Sequence, residues 1–411
     1  MTIVRFFLLI LGVSASLSSV AFDRFTAHGG PIKGLAHSAA LNLTVSASFD
    51  YTAVLWDAVE MREIRQLIAH NAAVNTAAFS PDGTWLATGG DDFVIHLWKV
   101  DELLDPNKEP TSRALAGHTA KVVHLAFSDD GTQLLSSSWD HTVGIWDTER
   151  GEMVGQLHGH QGPVNAAFLS ADESQVYSAG ADGHLRVWDL QSGEYVRSLV
   201  RNGFGINVMA LNDSGNLIAF GGANGVMQLV NLSDRSHDLE LWVGGPPVLA
   251  VSLDDQAERV AFGTSEGRVV IADTYVGSIE HDFTAVKGPV WAMSLLPESE
   301  GLLFAGLDDW VTRIPLQNFI VPSQLPDRDR RFHPEGPVDN GERQFARKCS
   351  VCHSLTASTE RRAGPTLYGV FGRKVGAVKD YPYSPELKAM DLVWNEDTID
   401  ALFREGPDVV T

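Results

Sequence analysis

Cysteine is nearly absent from this chain: its 411 residues contain two, Cys349 and Cys352, with two residues between them. Cysteine chemistry is therefore confined to one spot, and no material remains for a second thiolate-bound centre elsewhere. Basic residues are also scarce, 31 Lys+Arg against 52 Asp+Glu, for a formal charge of −21. So acidic a chain repels phosphate backbones, which argues against nucleic acid as a partner. Long apolar runs are missing too, except at the start. There MTIVRFFLLILGVSASLSSVA sets Arg5 before an apolar run from Phe6 to Val13, followed by small residues up to Ala21. That order reads as a secretory signal over residues 1–21, cleaved after Ala21. The run is too short for the hydrocarbon layer of about 30 Å, which takes about 20 apolar residues. The mature protein is expected to be soluble, to lack a membrane span and to lie outside the cytoplasm.

The acidic excess is uneven. From Val338 onward there are 10 Lys+Arg and 11 Asp+Glu, whereas residues 1–337 hold 21 and 41. Two regions of such different charge read as two domains. The first is repetitive. GHTAKVVHLAFSDDGTQLLSSSWDHTVGIWD, ending at Asp147, is followed by GHQGPVNAAFLSADESQVYSAGADGHLRVWD, ending at Asp189. Equivalent positions are Trp56, Trp98, Trp146 and Trp188, then Val230, Ala272 and Pro315 in weaker copies, at steps of 42, 48, 42, 42, 42 and 43 residues. The long step carries DELLDPNKEPTS, read as a surface loop. Alternating apolar stretches broken by turns such as Ser80-Pro81-Asp82-Gly83 mean short antiparallel strands, four to a unit of this period.

The seven units resemble the WD-repeat β-propeller family over residues 22–317. The resemblance implies a hydrogen-bonded set of His, Ser or Thr, Asp and Trp inside each complete blade. Four copies carry it: His28, Ser46, Asp50, Trp56; His70, Thr88, Asp92, Trp98; His118, Ser136, Asp140, Trp146; His160, Ser178, Asp182, Trp188. Recurrence at one place in each blade spreads these histidines around the ring, which favours structure over catalysis. The last unit has three strand-like runs, and Phe22–Ala27 can supply its fourth, closing the ring and removing a sheet edge.

After Leu316 the pattern stops. Residues 318–337 form a Pro-rich connector, expected to let the C-terminal region swing. Asp339 can cap a helix, with Glu342 closing a capping box. Phe345, Cys349 and Cys352 then fall on one helical face, directly before His353. C-x-x-C-H is the attachment signature of c-type haem. A redox dithiol or a local disulfide fits the same two cysteines, whereas a four-ligand zinc site lacks further ligands nearby.

The downstream sequence separates these options. GERQFARKCSVCH, GPTLYGVFGRK, YSPELK and LVWNEDTIDALF together resemble a class I cytochrome c over residues 338–411. The resemblance implies an all-α domain carrying one covalent haem c, with Cys349 and Cys352 as thioethers and His353 as the proximal iron ligand. It also implies that the Pro365 carbonyl accepts the other imidazole N–H, and that Trp394 contacts a haem propionate. The family's distal methionine segment is expected beyond Thr411, and Met390, in KAMDLVW, reads as structural. The expected fold is thus multidomain, an all-β seven-bladed WD-repeat propeller followed by the cytochrome domain. The expected function is a periplasmic electron carrier and not an enzyme, with a redox partner protein docking at the propeller or the haem edge. Arg343, Arg347, Lys348, Arg361, Arg362, Arg373 and Lys374 are candidates for a basic rim at that edge. The competing readings are an oxidoreductase with an active site in the propeller, and a haem-based sensor.

Overall fold

In the computed structural model, residues 23–319 are described except Asp213, Asp255, Glu298, Ser299 and Asn318. Residues 340–405 are described except 358–361, Asp380, Pro382 and Ser384. The signal segment, the connector apart from Phe319, Asp339, Arg361 and the end near Thr411 lie outside the described residues.

Seven four-stranded antiparallel sheets follow one another along the chain. Blade one is built from Ile32–Ser38, Leu43–Ser48, Thr52–Asp57 and Arg62–Ile68. The pattern repeats through blade six, which ends with Ile279–Thr284. Blade seven takes Val290–Leu295, Gly301–Gly306 and Trp310–Pro315 from the end of the repeat region, and Asp23–Thr26 from its beginning. The closing pair is antiparallel, with Asp23 opposite Arg313 and Thr26 opposite Trp310. This is a seven-bladed β-propeller closed by its own N-terminal strand, so the ring is clasped within one chain and the last blade is not left a strand short.

In each of the first four blades one hydroxyl joins the histidine to the tryptophan. Ser46 Oγ lies 2.7 Å from His28 Nε2 and accepts the Trp56 indole N–H at 2.8 Å. His28 Nδ1 lies 3.1 Å from Asp50. Indole and carboxylate fix the proton order: Trp gives to Ser, Ser gives to His Nε2, and His Nδ1–H gives to Asp. The same relay runs through Thr88, Ser136 and Ser178 in blades two to four. Each of these buried polar groups has a partner, so the relay stabilises without leaving an unmatched group.

Burial of Asp50 opposes its ionisation, but hydrogen bonds from His28, Thr52 and Gly29 outweigh that and hold it at about 2. A carboxylate held below its unfolded value stabilises the fold above about pH 4, and that contribution disappears as pH falls through about 2. Asp50→Asn is therefore expected to remove about 2 kcal/mol at neutral pH and to flatten the acid limb. Urea melts of both proteins between about pH 5 and about pH 2 check this, since parallel curves contradict it.

Blades five to seven solve the same packing problem differently. The Ser/Thr position becomes Phe220, Phe262 and Phe304, all fully buried, while the Trp position becomes Val230, Ala272 and a third aliphatic residue. The bulk has moved across to the neighbouring strand. The register corrects the sequence alignment here: Leu302 pairs with Ile314 as Val260 pairs with Ala272, so Ile314, not Pro315, is the seventh equivalent. The sequence alignment is one residue out there because Trp310 opens that strand and no tryptophan stands at the equivalent position itself.

The inserted DELLDPNKEPTS is also not simply a surface loop. It opens as a one-turn helix, Val100–Leu104, with Val100 and Leu103 buried against the core between blades one and two. Arg65 donates to the carbonyls of Asp105 and Lys108, which ties down the rest of the turn. Beyond the propeller the described residues form helices Asn340–Lys348, Pro385–Ala389 and Glu396–Glu405, joined by turns and one isolated bridge between Lys374 and Val393. None of the described helices is long and apolar enough to cross a membrane.

Candidate functional site

The helix Asn340–Lys348 stops just before the cysteines, so the motif lies on the turn beyond it and not within the helix. The winding nevertheless continues. Cys349 N–H donates to Phe345 O at 2.9 Å, Cys352 N–H to Cys349 O at 3.1 Å, and His353 N–H to Cys349 O at 2.8 Å. These helical-type bonds keep Cys349, Cys352 and His353 in a single turn. Both cysteines are half-buried. Burial raises the Cys352 thiol first, and neighbouring Cys349 adds to it.

A second segment wraps back onto that turn. Gly364 N–H donates to Cys352 O at 2.9 Å, and Leu367 N–H to Ser354 O at 2.8 Å. Between them His353 Nδ1 lies 2.7 Å from Pro365 O. A carbonyl only accepts, so Nδ1 carries the proton and Nε2 keeps its lone pair. Burial lowers the His353 pKa and Arg362 acts in the same sense, against the opposing Pro365 bond, so the ring is neutral near pH 7. Gly364 packs on the ring itself: a Cβ there would fall 2.3 Å from Cε1 and 2.6 Å from each ring nitrogen.

Trp394 sits half-buried on the short pairing of 372–375 with 392–394. Its backbone N–H donates to Arg373 O at 2.9 Å and its carbonyl accepts from Gly372 N–H at 2.8 Å. Met390 is half-buried just after Pro385–Ala389. Three of the seven residues of the expected basic rim are described, and each is engaged within this region. Arg362 donates to the Ser350 and His353 carbonyls, Arg373 to those of Thr366 and Tyr368, and Lys374 pairs with Asp391 at 3.0 Å. Arg361 lies outside the described residues, and the side chains of Arg343, Arg347 and Lys348 lie outside them as well.

One propeller cluster has the composition of a metal site: His70, Asp92 and His96 offer atoms within 4.8 Å of one another. Three of its four ring nitrogens are committed, however. His70 uses Nδ1 on Asp92 and Nε2 on Thr88, and His96 Nδ1 lies 2.8 Å from Ser112 Oγ. The cluster is the blade relay plus one neighbour. Residues that the sequence did not single out do reach the motif. Ala363 N–H donates to Gly29 O at 3.0 Å, and Tyr381 donates its hydroxyl to Ala363 O. Tyr51, whose ring lies against that of Tyr381, occupies a left-handed turn position with φ of 70°, and no local pattern in the sequence marks this contact.

Fold and site define a WD40 propeller joined to a segment bearing a Cys-x-x-Cys-His turn. Residues 19–57, 61–99, 109–147 and 151–189 match the family described as WD domain, G-beta repeat. The C-terminal region is similar to proteins named cytochrome c. A cytochrome c homolog of Rickettsia felis is 36% identical over 89 residues, which is 22% of this chain and 50% of that protein. Cytochrome c of Sesamum indicum is 39% identical over 66 residues, 16% of this chain and 60% of its own length. The cytochrome c homolog of Rickettsia bellii is 40% identical over 95 residues, 23% of this chain and 52% of its own. The chain thus spans 50 to 60% of the length of these relatives.

Proposed function

We propose that the protein is a periplasmic c-type cytochrome whose propeller serves as the docking platform for a redox partner protein. The observation that carries this is the His353–Pro365 contact. It leaves an unprotonated Nε2 in the same turn as two cysteines, beside a glycine whose missing side chain leaves room for the ring. These residues fit one covalent haem c. Cys349 and Cys352 would hold it by adding S–H across its two vinyl groups, His353 would bind the iron, and Trp394 would contact a propionate. When bound, the haem supplies a one-electron iron couple whose potential follows ligation, burial and hydrogen bonding.

The chain's own contribution is positional. Pro365 fixes tautomer and orientation of the imidazole, raising its basicity toward a metal. Arg362 fastens the motif turn to the returning segment through two carbonyls. The acidic propeller offers a field that would steer a basic partner and weaken with salt, over a Debye length of about 8 Å.

Denatured full-length protein, exported and matured in a host that attaches c-type haem, is expected to keep its haem through acid–acetone extraction. Cys349→Ala is expected to retain at most one thioether, seen as a red-shifted α-band in pyridine. Haem lost from the unmutated chain on extraction overturns the reading.

A further inference from the structure

We propose that blade one of the propeller is a positioning element of the haem site: it clamps Ala363, and through it holds the segment that orients His353. The inference rests on the haem reading above. Both polar backbone groups of Ala363 lead to the propeller. Its N–H donates directly to Gly29 O at 3.0 Å. Its carbonyl accepts the Tyr381 hydroxyl, and the Tyr381 ring packs against that of Tyr51. The two rings lie 6.5 Å apart at 58°.

The fit is close as well as polar. A Cβ added to Gly30 would meet the Ala363 methyl at 2.6 Å, so only glycine lets the two backbones approach this far. The same place in blade four is Gly162, two residues after its own relay histidine. A Cβ there meets nothing nearer than 3.4 Å. Close approach at this position is therefore a feature of blade one and not a requirement of the repeat.

The blade's internal relay holds both contact points. Asp50, which binds His28, also accepts the Gly29 N–H at 2.6 Å, and Tyr51 is its next residue. That next position is left-handed in blades one to four, at φ of 70°, 67°, 75° and 77°, for Tyr51, Phe93, His141 and Gly183. A side chain there is less favourable than in an ordinary conformation. Contact with Tyr381 offsets part of that cost at Tyr51. On the other side, Ala363 adjoins Gly364, which packs on the imidazole, and precedes Pro365, which accepts its proton, by two residues. A shift at Ala363 therefore reaches His353 by two routes. A haem segment held in this way rides on the propeller instead of swinging free of it.

The test uses the full-length protein with Gly30→Val, Tyr51→Ala and Gly162→Val as separate variants. Amide hydrogen exchange of peptides covering residues 362–367 is measured, together with the haem midpoint potential. Gly30→Val is expected to speed exchange about tenfold, the size of a lost hydrogen bond and its packing. Tyr51→Ala removes the ring that Tyr381 packs against, and is expected to speed exchange in the same direction and move the one-electron reduction equilibrium about threefold. Gly162→Val is expected to change neither. Should Gly30→Val disrupt blade one, visible as fast exchange in 32–38, Tyr51→Ala decides alone. The clamp is overturned if Tyr51→Ala matches the unmutated chain in both measurements, or if Gly162→Val reproduces the Gly30→Val effect. Exchange needs no haem, so a protein without haem that still shows the Gly30 effect refutes the haem reading and keeps the clamp.

Discussion

Gly364→Ala is expected to yield a chain that folds its propeller but fails to hold haem with histidine ligation. The new methyl would sit 2.3 Å from Cε1 of His353 and 2.6 Å from both ring nitrogens. Contacts that short do not persist, so either the ring or the returning segment moves. The segment is tied by Gly364 N–H to Cys352 O and by the Ala363 bond to Gly29, which leaves the ring as the softer element. Ring displacement of about 1 Å stretches the 2.7 Å contact with Pro365 beyond hydrogen-bonding range and frees the tautomer. Losing such a supporting bond costs about 10- to 100-fold in metal affinity. Haem per chain and the low-spin fraction of the visible spectrum measure the effect. Gly369→Ala is the spatial control, since nothing lies within 4 Å of its added Cβ, although its φ of 62° adds local strain. Normal haem content and spectrum in Gly364→Ala would falsify this account of the ring's seat.

The second large effect concerns the propeller's three atypical blades. Phe262→Ser is expected to destabilise the propeller by about 3–5 kcal/mol, the usual range for emptying a buried aromatic site. Phe262 is fully buried in one cluster with Val260, Val270 and Ala272, and the substituted serine would leave both a void and a hydroxyl to satisfy. Adding Ala272→Trp should recover most of that loss. It rebuilds the arrangement of blade four, where Trp188 stands at the equivalent position and gives its indole N–H to Ser178 at 2.7 Å. Ala272→Trp alone should be poorly tolerated, because Phe262 already occupies the space. Denaturant unfolding of the two single variants and the pair measures the coupling. Additive single effects would show that the two positions do not share one volume.

How much of this was legible in the sequence varies by element. Strands broken by Asp-Gly turns, the four His–Ser/Thr–Asp–Trp sets and the seven-fold count were readable, because each is written within about forty consecutive residues. The closing strand was readable for a related reason: a unit one strand short needs a partner, and the segment before His28 was unassigned. The moved aromatic of blades five to seven was visible as Phe220, Phe262 and Phe304 at steps of 42, but a search keyed on tryptophan passes over it. The Val100–Leu104 turn was hidden because five residues carry too little periodicity to distinguish a buried turn from a loop.

At the haem motif the division is sharper. The sequence alone determined that both cysteines and a histidine share one turn, since hydrogen bonds three and four residues apart enforce it. Only the tertiary structure decided that Arg362 and Arg373 bind backbone carbonyls instead of facing a partner. It also decided that Ala363 leans on Gly29 and Gly30, at the opposite end of the chain. Helical turns and alternating strands follow from neighbours along the backbone, which the order of residues states directly. A glycine made necessary by a methyl from a distant segment leaves no local pattern, because its reason lies in the space that folding brings against it.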